Sequence, residues 1–178
     1  MKKSILILTL LFSTIIFSQQ EIKLNMGNAL VLKTIDISYE YYLKEDTSIG
    51  LSGLFNFEKK TSDFRYNEES MITPYLRHYF TSDQNWNLFG EGFFGVNTGY
   101  KKTEIGGIID YKRYSDSALG IAVGSKYLSE SGFVVDVYGG VGRNLFSANS
   151  PVLALRLGIN VGWRFLYLKN YKKDLTKV

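Results

Sequence analysis

The stretch LALRLGINVGWRF, residues 153–165, decides the fold. Its odd positions are Leu153, Leu155, Leu157, Ile159, Val161, Trp163 and Phe165; its even positions are Ala154, Arg156, Gly158, Asn160, Gly162 and Arg164. Strict alternation is the signature of a β-strand with one apolar face. The other face is unusual. A solvent-facing surface would be rich in Lys and Glu, whereas this one holds two arginines among small residues. Two cations in a narrow polar space need carboxylates, because an unpaired buried charge is expensive.

Working outward, the same period recurs in seven earlier segments. The first reads Ile22, Leu24, Met26 and Leu30 against Lys23, Asn25, Gly27 and Ala29, which predicts a first strand running to about Leu30. Others centre on Ile35–Leu43, Ile49–Phe57, Ile72–Phe80, Trp86–Asn97, Ala118–Tyr127 and Phe133–Gly142. No long segment has helical periodicity. The connections KEDT, TSDQN and SESG are short and built from turn-forming residues. Those on the opposite side are longer, apart from the one near LVLKT. The longest contains Gly106-Gly107 between alternating runs, a hairpin signal. Strands five and six are therefore expected to continue as a projecting ribbon. An eight-strand up-and-down meander points to a closed antiparallel barrel, which leaves no exposed edge.

Three features turn the apolar face outward. The polar phase is mostly Gly, Ser, Asn and Ala. Its charges, Lys23, Asp36, Glu40, Arg77, Glu91, Lys126, Asp136, Arg156 and Arg164, are of both signs, and they form the expected interior network. The apolar phase carries only Arg143, at the loop end of its strand, where a lipid-facing cation is tolerated. Finally, Tyr41, Phe80, Trp86, Tyr127, Phe133 and Trp163 lie on the apolar phase at the tight-turn ends, as an interfacial aromatic girdle would. Phe89 and Phe93 point the other way and are read as interior packing. The fold class is thus an eight-stranded transmembrane β-barrel with a small polar interior. The competing fold is a soluble periplasmic barrel with an inward apolar face and an apolar ligand.

The first residues address location. Met1-Lys2-Lys3 precedes an apolar run, Ile5–Phe17, closed by Ser18-Gln19-Gln20. This is the layout of a secretory signal peptide, assigned to residues 1–18, and the run is too short for a membrane-spanning helix. No cysteine follows, so no lipid anchor, disulfide or thiolate metal site is expected. Without Lys2 and Lys3 the chain has 19 basic against 17 acidic residues, too little excess for nucleic acid. The barrel is assigned to residues 19–168 and a short basic tail to 169–178.

On the residues IKLNMGNALVLKTIDISYEYYL, ITPYLRHYF and GGVGRN…RLGINVGWRF, the chain resembles the small outer-membrane β-barrel proteins of Gram-negative bacteria, with an OmpA/OmpX-like architecture. It is most similar to a barrel family known only as of unknown function. The resemblance implies an outer-membrane location and outer-membrane lipid as surroundings. It also implies the assembly machinery as a partner, through a terminal signal that Arg156, Gly158, Val161, Trp163 and Phe165 match. Chains of this kind usually end at the terminal aromatic; this one continues with LYLKNYKKDLTKV.

Chemistry is sparse. His78 is the single histidine and lies on the apolar phase; GGVGRN lacks the final Gly and the helix of a phosphate loop; no metal-ligand spacing occurs. No catalytic residue, metal or cofactor is expected. Segments 58–70 and 101–117, with Phe64, Arg65, Tyr66, Tyr111, Arg113 and Tyr114, mix aromatic and basic groups as interfaces do, and are candidate contacts for an extracellular partner. The expected role is structural or surface interaction, with a narrow channel or carrier for small solutes as the alternative.

Overall fold

The computed structural model describes residues 19–58, 67–81, 85–106, 108–147 and 149–165. The elements are β1 (Gln20–Asn25), α1 (Met26–Leu32), β2 (Thr34–Tyr42), β3 (Thr47–Asn56), β4 (Glu68–Tyr79), β5 (Trp86–Ile105), β6 (Ile108–Leu128), β7 (Phe133–Asn144) and β8 (Leu153–Phe165). Every strand pairs antiparallel with the next, and β1 closes against β8 from Gln20–Phe165 to Asn25–Asn160.

The first strand is shorter than its alternation predicts. Asn25 ends it: its side-chain carbonyl accepts the Asn28 and Ile159 amides at 3.1 and 3.2 Å. That is an N-cap, and α1 follows, closing at Lys33 in the left-handed region (φ 47°). Leu30 is consequently on a helix and 77% exposed. Two apolar residues spaced along a short helix mimic period two closely enough to be misread.

β5 and β6 pair continuously from Trp86–Tyr127 to Ile105–Ile108, turning at Gly106 with φ 61°. Positive φ at the turn is what glycine permits. Most of segment 101–117 is therefore ladder, not loop. The expected loop 58–70 is also shorter, because β4 begins at Glu68; Phe64, Arg65 and Tyr66 lie outside the described residues. Tyr114, expected in a contact surface, is buried at 4% exposure. It sits on the inward phase of β6, with Asp116 and Ala118, so the polar-aromatic mixture there belongs to two faces.

The faces segregate as expected. Leu155, Leu157 and Ile159 are about half exposed, as are Ile22, Ile37, Leu51, Ile72, Leu76 and Leu88. Inward positions are buried, including Phe89 and Phe93. Small inward residues seat the larger rings: a Cβ at Gly50 would fall 2.1 Å from Tyr75, and one at Gly158 would fall 2.4 Å from Tyr138. An apolar cylinder enclosing charges is a transmembrane barrel, and a soluble barrel with an apolar interior is excluded.

Candidate functional site

The interior charges form the feature that needs explaining. Lys23, Arg77, Lys126, Arg156 and Arg164 face Glu21, Asp36, Glu40, Glu91 and Asp136, with Glu68 and Asp116 also buried toward the ribbon, and none exceeds 9% exposure. Period two delivers them: each sits on the inward phase of its strand, and closure brings strands distant in sequence within reach. In low dielectric such groups must be paired in good geometry, since desolvation otherwise exceeds the Coulombic gain.

Glu40 is the hub. It receives the Lys23 ammonium, Lys126 Nζ at 3.1 Å and Arg77 Nη1 at 3.2 Å. Tyr79 and Ser48 donate their hydroxyls to its other oxygen at 2.5 and 2.6 Å. Asp136 accepts from Lys23 and from Arg77, both at 2.8 Å. Arg77 also donates Nη2 to Glu91 at 2.8 Å, and Glu91 turns its second oxygen to Arg156 Nε at 2.7 Å. Arg156 continues to Ser52 Oγ at 3.0 Å. Toward the tight turns, Glu21 joins Lys126 at 2.6 Å and Arg164 Nε at 2.7 Å. The result is an unbroken ladder of ion pairs up the barrel axis.

Aromatic rings fill the space around it. The Arg77 guanidinium lies 3.8 Å from the Phe89 ring centroid, Arg164 lies 4.3 Å from that of Tyr42, and Arg156 sits among Tyr75, Phe93 and Tyr138. Weakly hydrated, planar guanidinium tolerates such stacking better than ammonium does.

Two details differ from the expected network. Arg164 takes Glu21, a carboxylate not among the four expected partners. Glu21 lay just ahead of the first counted residue but two positions before Lys23, in phase with it; that spacing was the available signal. Asp36, by contrast, makes no direct ion pair among the described residues. Its Oδ2 accepts Asn25 Nδ2 at 3.2 Å, while its Oδ1 has no hydrogen-bond partner among the described residues. It borders a cavity of about 20 Å³ with Asn28, Ser52, Thr73 and Arg156.

The remaining candidates fall at the two ends. Phe80, Trp86, Phe133 and Trp163 are exposed at the tight-turn end, with Tyr41 and Tyr127 half-buried there; the Trp86 and Tyr127 rings are 5.3 Å apart. Of the terminal-signal residues, Arg156 and Gly158 face inward, whereas Trp163 and Phe165 are exposed and Val161 is half-buried on the outer face. His78 also faces outward, with its ring 5.5 Å from that of Phe80. At the other end Asp116 accepts the Ser117, Phe146 and Ser147 amides at 2.7, 2.9 and 2.9 Å and the Ser150 hydroxyl at 2.5 Å, tying the β7–β8 connection to β6. Burial pushes its carboxyl up, but these four bonds outweigh that and bring it down to about 2.

Fold and interior together define a small outer-membrane-type barrel with a packed ionic core. Residues 4–150 match the family described as "Protein of unknown function (DUF3575)", and the chain belongs to it. No curated protein matches it in sequence. Among solved structures it is similar to the N-terminal β-barrel domain of Pseudomonas aeruginosa OprF. That likeness has 13% identity and a TM-score of 0.61, covering 84% of this chain and 98% of that one. It is also similar to the Yersinia pestis attachment invasion locus protein Ail (14% identity, TM-score 0.48, covering 84% and 99%). Neisserial surface protein A gives 10% identity and a TM-score of 0.42, covering 83% and 91%. At such identities the likeness to OprF speaks to the fold alone.

Proposed function

We propose that this chain is a non-enzymatic integral protein of the outer membrane of a Gram-negative bacterium, with a sealed interior and a structural or surface-contact role exercised through the β5–β6 ribbon. On this reading residues 1–18 are removed on export, residues 19–168 form the barrel in outer-membrane lipid, and 169–178 are a periplasmic tail. The assembly machinery would read Arg156, Gly158, Val161, Trp163 and Phe165. Short turns then face the periplasm and the ribbon faces outward, the usual arrangement of such barrels.

The observation that carries the sealed reading is the ladder from Arg164 to Ser52, whose charged members are at most 9% exposed. Eight strands enclose a space that side chains can fill. A channel would need a continuous wet path through that space. The full chain reconstituted in planar bilayers is expected to show no reproducible conductance. Conductance that changes in Arg156→Ala or Glu91→Ala would replace the sealed reading with the small-solute channel.

The surface role rests on the ribbon, which outruns every other pair of strands. Trypsin applied to intact cells is expected to cut at Lys101, Lys102, Lys112 or Arg113. Cutting of the purified protein but not of cells would count against surface display. Replacing Thr103–Asp110 by Gly-Gly keeps the Lys102–Tyr111 rung and removes the tip. Cell-to-cell aggregation that drops in this variant would support contact, and unchanged aggregation would not.

A further inference from the structure

Arg143 is an anomaly on the lipid-facing surface. It stands on the outward phase of β7, exposed, in a rung between Leu119 of β6 and Leu153 of β8. Among the described residues no carboxylate forms an ion pair with it. It is the next-to-last residue of β7, at the ribbon-end rim of the apolar band. Leu145, Phe146 and Val152, which lie beyond it toward the ribbon end, are 47, 78 and 67% exposed. A cation set at the rim of apolar surface calls for an anion from its surroundings.

Directly beside it the barrel wall is hollow. Leu119, Ile121, Val141, Leu153 and Arg143 line a shallow groove of about 400 Å³ floored by Gly120 and Gly142. Those two glycines pair across β6 and β7 on the inward phase, so only their backbone floors the groove, which lies between the outward side chains of Leu119, Ile121, Val141 and Leu153. The site thus has one apolar trough and one cation at its end, which is the amphiphilic layout of a single lipid molecule.

We propose that Arg143 and this groove form a binding site for a phosphate-bearing anionic lipid, with the guanidinium on the phosphate and an acyl chain along Leu119, Ile121, Val141 and Leu153. Guanidinium suits phosphate because its planar donors can engage two oxygens at once. The site rests on the membrane reading above, and its test separates the two.

The full chain, folded in micelles, is mixed with phosphatidylglycerol and phosphatidylcholine of identical chains, and the retained lipids are counted by native mass spectrometry. The wild type is expected to retain phosphatidylglycerol about fivefold over phosphatidylcholine, the discrimination one arginine supplies at an anionic surface. Arg143→Leu is expected to lose the preference, and Arg143→Lys to keep part of it. Arg143→Gln serves as the second charge-free variant, and each chain is checked for the heat-dependent gel shift of a folded barrel. Equal retention by the folded wild type, or an unchanged preference in both charge-free variants, overturns the lipid site and leaves the barrel standing. A wild type that forms no barrel in micelles overturns the membrane reading itself. Inorganic phosphate retained as well as phosphatidylglycerol would replace the lipid by a bare anion.

Discussion

The two halves of the barrel interior solve the same problem differently. Next to the tight turns, Glu21, Lys23, Glu40, Arg77, Lys126, Asp136 and Arg164 form a lattice in which each charge meets an opposite one. Toward the ribbon the inward residues are mostly neutral: Asn25, Asn28, Thr34, Ser52, Thr73, Asn97 and Asn144. Unpartnered acceptors occur in both halves, but in the lattice Asp136 Oδ1 still has the Lys126 ammonium at 3.8 Å. Toward the ribbon, Thr34 Oγ1, Asp36 Oδ1 and Asn97 Oδ1 have no hydrogen-bond partner among the described residues, and the small cavity beside Asp36 lies there. The lesson is that in an ionic core each charge needs a counter-charge, even where a hydrogen bond is missed. A neutral polar core tolerates gaps, since a missed hydrogen bond costs far less than a missed counter-charge.

That contrast can be broken most directly at Arg77. Arg77→Leu takes one cation from each of Glu40, Glu91 and Asp136, which keep only Lys23, Lys126 and Arg156 among them, and is expected to cost about 3–5 kcal/mol in urea unfolding from lipid vesicles, as for other broken buried pairs. A loss below about 1 kcal/mol would mean that the lattice is not under electrostatic stress. Glu21→Gln comes next, at roughly 3 kcal/mol, because Arg164 loses its carboxylate but keeps Gln19 and the Tyr42 ring, and Lys126 keeps Glu40. The same unfolding assay checks it.

Smaller effects belong to the ribbon end. Asp116→Asn is expected to cost about 1 kcal/mol, read as faster amide hydrogen exchange at Phe146 and Ser147 with the transmembrane strands unaffected. This carboxyl is depressed in the folded protein, to about 2. Its contribution is therefore complete above the unfolded carboxylate range near pH 4 and is lost as the pH falls toward 2. Exchange at those two amides should accelerate over that window in the wild type and stay flat in the variant. Asp36→Asn should do least, under about 1 kcal/mol, because no ion pair among the described residues is broken. A loss as large as that of Glu21→Gln would erase the distinction between the halves.

Much of this was readable from one strand. Leu153–Phe165 displays both faces, and the inward placement of Arg77, Lys126, Asp136 and Arg156 follows from parity alone. Parity failed at Met26–Leu32, where Asn25 was a legible N-cap and the alternation beyond it was accidental. It misled also at Tyr114, where composition was weighed without asking which face each residue takes. Glu21 was overlooked because a strand's first residues carry little pattern of their own. Its partners, Arg164 and Lys126, lie more than a hundred positions away in the chain.

The sequence by itself determined the number of strands, the face each residue presents and the segregation of charge, because period two is a local property of an extended backbone. Only the closed barrel shows which cation meets which carboxylate, that Glu21 joins the network, and that Arg143 is left without a counter-charge among the described residues. Pairing depends on the stagger between strands and on closure of β1 against β8, and neither is written in any single segment.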